Sequence, residues 1–303
     1  MVVEADLVVV GIAGFFAAMV DGALGMGFGP TSSSILLSQG LSPATVSTTV
    51  NLAKVATGLV AGVAHWRFNN IDRRLVVRLA IPGSIGALIG VTVLASVDGD
   101  DLKPFLAVLL LLVGIRILVR FSRPLPLAPD TPGAADTEAT EDAPPTFDER
   151  GVEIAAAAGG ITNGLVGAWG PVVTPYLLHR GLTPRFAVGS VNTAEVAVAI
   201  VSAGSLVASL GGGGLDAEVV LAMLGGGVAA APLAAYVVRF LPARLLGLTV
   251  AALLLLTNIR ELAGSWELHD WRWSYYVTAI ALVALAMARP RLTRGVQARR
   301  GAD

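Results

Sequence analysis

Residues 29–55 and 170–196 are two copies of one pattern. Shifting the chain by 141 lays GPTSSSILLSQGLSPATVSTTVNLAKV over GPVVTPYLLHRGLTPRFAVGSVNTAEV, with 11 identities in 27 positions. Gly-Pro, Leu-Leu, Gly-Leu-x-Pro and Val-Asn-x-Ala recur in order. With a three-residue slip in the intervening loop, Ile71-Asp72 falls on Leu215-Asp216 and Ile115-Arg116 on Ile259-Arg260. The chain is therefore an internal duplication, and whatever one half folds into, the other repeats.

Each half is too apolar for water. Of 303 residues, 54% are hydrophobic and 14% charged, with 35 glycines, against about 25% charged in soluble domains. The mean hydropathy is +0.73. A membrane-spanning helix needs about 20 apolar residues to cross roughly 30 Å of hydrocarbon. Candidate segments are 5–22, 43–65, 73–97, 102–120, 152–163, 184–209, 216–239, 243–262 and 272–288. The apolar pieces 31–39 and 172–180 are too short to cross alone. Residues 121–150 hold six prolines and seven acids and read as a solvated linker. The chain divides into a first repeat (1–120), the linker (121–150), a second repeat (151–262), and a final helix with a basic tail (263–303).

Composition excludes several classes. A net charge of −1 without a basic stripe argues against nucleic acid as partner. The absence of cysteine removes disulfides and thiolate metal sites. His65, His179 and His269 lie far apart, so no histidine metal cluster is expected. The apolar start Leu7 to Val20 follows Glu4 and Asp6 with no basic residue, unlike a cleavable signal, and reads as part of the mature fold. Gly211 to Gly214 lacks the Lys-Ser of a phosphate-binding loop and reads as a turn. Trp271, Trp273, Tyr275 and Tyr276 read as an interfacial belt.

Basic loops orient the chain. Residues 65–74 and 179–185 and the tail after Ala288, with five arginines, are basic; 96–101 and 211–218 carry no positive charge. Equivalent loops of the two halves then lie on opposite sides. This works if 5–39 and 152–180 each dip in and return, leaving three full spans per half plus the final helix. The expected fold is an all-α polytopic membrane protein of two inverted repeats, each opened by a Gly/Pro-broken leading helix. The N-terminus lies outside and the C-terminus in the cytoplasm of a cell (plasma) membrane protein.

The breaks are DGALGMGFGP (21–30) and NGLVGAWGP (163–171). A broken helix at membrane depth persists only where protein or water satisfies its backbone. Pro30 and Pro171 can each open a half-helix, whose free N–H groups favour an anion. Duplicated breaks mark binding sites in repeat-built transporters. The expected substrate contacts are Gly27, Gly29, Pro30, Thr31, Ser32 and Ser33 in the first half and Gly170, Pro171 and Thr174 in the second. Asn51 and Asn192, which coincide under the repeat, join them as ligands or as partners for broken backbone. Lys54 and Glu195 also coincide, near the middle of their helices, where an ionisable group is functional by default. They read either as an ion pair or as a substrate and proton site. Asp21 precedes the first break and reads as its cap or as a coupling-ion acid. No metal or cofactor is expected.

With GMGFGP, the following G-L-S-P-A, the HWRFNNID loop and their echoes GAWGP, G-L-T-P-R and LDAE, the chain resembles the TauE/SafE family of sulfite exporters. The resemblance covers nearly the whole chain outside linker and tail. It implies a secondary transporter of small sulfur-containing anions, such as sulfite or organosulfonates, using ion gradients. The first break departs from the family in its Thr-Ser-Ser-Ser. The expected partners are a small anion, the lipid bilayer, and protons or another coupling ion; oligomeric state stays open. A passive anion channel is the competing reading. An intramembrane enzyme would need Thr31, Ser32 or Ser33 activated by a histidine that no mid-depth segment supplies.

Overall fold

The computed structural model describes residues 6–24, 26–122, 146–210, 215–237, 243–265 and 272–300. For 22–23, 231–237, 243, 272 and 289–300 it describes the backbone alone. Most of the linker, Gly211 to Gly214, His269 and Trp271 lie outside the described residues. Among the described residues the chain is all-helical. The first half holds α1 (Leu7–Leu24), α2 (Phe28–Ser38), α3 (Pro43–Arg67), α4 (Arg73–Ser96) and α5 (Gly99–Ser122). The second holds α6 (Val152–Val166), α7 (Gly170–His179), α8 (Pro184–Ser209), α9 (Ala217–Val237) and α10 (Ala243–Ser265), followed by α11 (Arg272–Arg300). Among the described residues, five helices (α3, α4, α5, α8 and α10) are long and apolar enough to cross a membrane. Their outward faces carry bare aliphatics such as Val77, Ile81 and Ile85 on α4, as lipid-facing helices do.

The repeat explains the helix starts. Pro43 and Pro184 open α3 and α8, behind Ser42 and Thr183 in nearly identical extended conformations. Asp72 accepts from Arg74 N–H and Leu75 N–H at the start of α4. Asp216, its counterpart, does the same for Glu218 and Val219 at the start of α9.

The halves interlock. α1 lies along α9, α6 along α4, α3 against α8 and α5 against α10. Exchanging each helix for its repeat partner returns the same set of pairings. Glycine lets the leading helices lie close: a Cβ at Gly160 would stand 1.9 Å from Gly83 O, and one at Gly226 the same distance from Gly11 O.

Contacts at the two ends of the bundle fix how the leading helices run. At one end, Arg78 near the start of α4 pairs with Glu149 and Glu153 at the start of α6. Arg180, just past α7, pairs with Asp148 at 2.5 Å, and Asp72 N–H donates to Ser190 Oγ early in α8. Arg244 at the start of α10 donates to Phe121 O at the end of α5 and to Ala286 O of α11 at this same end. At the other end, Ser38 closing α2 shares a polar cleft with Asp100 and Lys103 of α5 and Arg260 and Glu261 of α10. Gly99 there stands beside Pro43. So α6 begins and α7 finishes at the first of these ends, while α2 finishes at the other.

Candidate functional site

Both leading helices are broken. α1 stops at Leu24 and α2 starts at Phe28, two residues ahead of the expected Pro30, with Gly27 at φ 137° between them. α6 stops at Val166, and α7 starts at Gly170 with Pro171 in its first turn. Gly167, at φ 65°, closes α6; only glycine takes such conformations freely. The two breaks touch. A Cβ on Gly29 would lie 1.7 Å from Gly167 O and 3.2 Å from Lys54 Nζ.

Broken helices leave carbonyls unpaired, and at the second break hydroxyls satisfy them, two from the first half and one from the second. Ser33 Oγ donates to Val166 O at 2.7 Å, and Ser47 Oγ to Gly164 O at 2.7 Å. Thr162 Oγ1 donates to Ala168 O at 2.7 Å within the second break.

Beside the breaks lies a polar core. Asn51 and Asn163 join side chain to side chain, Asn163 Nδ2 donating to Asn51 Oδ1 at 2.7 Å while Asn51 Nδ2 donates to Asn163 O at 3.3 Å. Asn163 Nδ2 also reaches Ser202 Oγ at 3.1 Å. Lys54 Nζ donates to Glu195 Oε1, to Asn163 Oδ1 at 3.1 Å and to Gly167 O at 2.5 Å. The Lys54 side chain is 6% exposed and that of Glu195 17%. At this depth an unpaired ammonium would be costly; three acceptors, one ionised, offset that cost.

Asp21 Oδ1 accepts from Phe28 N–H, the first of α2, at 3.3 Å. Asp21, Lys54 and Glu195 line a small cavity with Gly27, Gly29 and Pro30 of one break and Gly167, Gly170 and Pro171 of the other. Its volume of ≈ 10 Å³ is about that of one water site. In this conformation the site is closed.

Of the residues singled out in sequence, Asp21, Gly27, Gly29, Pro30, Lys54, Gly170, Pro171 and Glu195 meet at this cavity. Asn51 stands one hydrogen bond behind it, through Asn163. Ser33 is spent on Val166 O. Thr31, Ser32 and Thr174 are buried beside the breaks, and their hydroxyls have no hydrogen-bond partner among the described residues. Asn192 is half-buried and does not line the cavity. The asparagine that meets Lys54 is instead Asn163. Sequence reasoning passed over Asn163, Gly167 and Ser47. A shift of 142 instead of 141 lays Asp21-Gly-x-x-Gly25 over Asn163-Gly-x-x-Gly167, so Asn163 is the repeat partner of Asp21. The first break holds one extra residue, which hid the match.

The family model described as Sulfite exporter TauE/SafE matches residues 10–260. The chain is 36% identical over 281 residues to the probable membrane transporter protein YtnM of Bacillus subtilis (strain 168), covering 92% of this chain and 90% of that one. No solved structure matches.

Proposed function

The chain belongs to the TauE/SafE family, a family of membrane transporters, and from that premise we propose that it exports a small anion, sulfite or a short organosulfonate, as a secondary transporter. It is a multi-pass membrane protein and not an enzyme. The observation that carries the substrate class is the meeting of two helix breaks on the Lys54 ammonium, inside a buried cavity. A cation and the positive ends of half-helices are what an oxyanion needs in low dielectric.

The two halves are inverted repeats, and transport proceeds by alternating access between them. The finish of α7 at one end and of α2 at the other, with interlocked pairings that the repeat exchange preserves, support this. The closed cavity is the intermediate between outward-open and inward-open forms. Thr31, Ser32 and Thr174 are hydroxyl donors held in reserve for the anion, and would turn to it when the breaks separate. In the plasma membrane the basic ends face the cytoplasm, which places the N-terminus outside.

The test is flux of labelled sulfite and short sulfonates in vesicles reconstituted with the purified chain. Saturable flux with counterflow supports a carrier; flux that rises linearly with concentration would make the protein a channel.

A further inference from the structure

Given the transport reading above, the way the cavity is filled determines what must travel with the anion. An ammonium has three N–H donors, and Lys54 has already used all three, on Glu195 Oε1, Asn163 Oδ1 and Gly167 O. The second attractor is the N-terminus of α2, and its first N–H is held by Asp21 Oδ1. Lys54 and the first N–H of α2 are thus both engaged by the protein's own carboxylates. The titratable groups lining the cavity are these three: Asp21 from α1, Lys54 from α3 and Glu195 from α8. The linings supplied by α2 and α7, and by Gly167 after α6, are glycine, proline and phenylalanine.

With both carboxylates ionised the three groups sum to −1. A monovalent anion entering that cavity would bring it to −2, away from water, where repulsion between like charges is strong. We propose that the protein moves its anion only together with protons, one for each negative charge carried, with Glu195 and Asp21 as the groups that take them up. A proton from the aqueous side to which the site is open binds a Glu195 oxygen. The neutral carboxyl no longer holds the ammonium, and Lys54 keeps Asn163 and Gly167 while turning its third N–H to the anion. The cavity returns to −1. When the site opens to the other side the anion departs, the proton leaves Glu195 for that solution, and the ion pair closes again, so export is driven by the anion's own outward gradient and carries protons out with it.

Asp21 supplies a second such position, because its neutralisation would free the Phe28 N–H. Its repeat partner is Asn163, which cannot titrate, so the second hairpin adds no third proton. Two acids therefore set the limit at two protons, matched to a monovalent or a divalent anion.

The experiment uses the full chain in liposomes, with labelled sulfite and with methanesulfonate, which carries no proton of its own at neutral pH. Each is driven either by a pH gradient at zero potential or by a potassium–valinomycin potential at equal pH. Electroneutral coupling predicts about tenfold accumulation of methanesulfonate per pH unit and no response to the potential. Glu195→Gln should lose the pH-driven accumulation, and Asp21→Asn should lower the proton count for sulfite while leaving one. Flux that follows the potential and ignores the pH gradient would overturn the proposal while leaving the transport reading standing. Full pH-driven accumulation in both variants would overturn it equally. Absence of flux for both anions under either gradient would overturn the transport reading itself.

Discussion

Gly29, at the start of α2, and Gly167, in the second break, stand in direct contact: a Cβ on Gly29 would lie 1.7 Å from the Gly167 carbonyl oxygen. The approach brings Lys54 within bonding range of that same carbonyl. One contact therefore joins the two hairpins, the buried cation and the cavity.

Gly29→Ala forces the two breaks apart. The neighbour is backbone and cannot swing away, so the cost should be about 1–3 kcal/mol or more, read as a lowered melting temperature in detergent. Gly204, in α8, has nothing within 4 Å of where a Cβ would stand. Gly204→Ala should be neutral or stabilising by up to about 1 kcal/mol. Equal losses in the two variants would contradict the packing described.

Lys54 and Glu195 should behave as a unit. Removing one leaves the other charged in low dielectric, at a cost of roughly 3–5 kcal/mol, while removing both leaves neither member of the pair charged and alone. Lys54→Met and Glu195→Gln should each lower stability more than the double substitution does. Additive effects, measured by thermal unfolding of all four proteins, would show the two side chains to be independent.

Topology can be read directly, because the chain contains no cysteine. Single cysteines in residues 97–101 and 211–216 should label from outside intact cells. Those in residues 121–150 and after Ala288 should label only once the membrane is opened. Outside labelling of the tail would sink the inverted-repeat account.

The segment before α6 is docked by Arg180, which pairs with Asp148, and by Tyr176 Oη, which donates to Arg150 O at 2.6 Å. Arg150 N–H, foremost, and then Arg180 hold the Asp148 carboxyl below its ordinary pKa. A depressed carboxylate stabilises the docked form at neutral pH and loses that contribution as pH falls through its lowered value. Hydrogen exchange of residues 146–151 should therefore rise on acidification below the usual carboxylate range, and less so in Asp148→Asn, which has no charge left to lose. Protection unchanged at low pH in the wild type would remove Asp148 from the docking.

Much of this was legible in the sequence. Periodicity is not needed to find a helix that is apolar all round, and the repeat by itself pairs Pro43 with Pro184 and Asp72 with Asp216. The meeting of Lys54 and Glu195 was half legible: the 141-residue register made them equivalents, but register alone cannot say whether equivalents touch. That needed α3 and α8 to pack face to face. Asn163 was hidden because the first break carries an extra residue, which moved its true partner, Asp21, off the 141-residue register. The role of Ser47 and Ser33 was not legible at all, since a hydroxyl that answers a carbonyl 117 or 133 residues away leaves no local pattern. Arg78 finds its partners Glu149 and Glu153 from beyond the linker, a pairing that leaves no local pattern either.

The central claim is that the cavity at Lys54 holds the transported anion. Counterflow of labelled sulfite by the double variant Lys54→Met, Glu195→Gln in liposomes tests it most directly, because this variant removes the cation together with the carboxylate paired to it. The account predicts a melting temperature above that of either single variant and counterflow indistinguishable from empty liposomes. Counterflow at the wild-type rate in the double variant would contradict it.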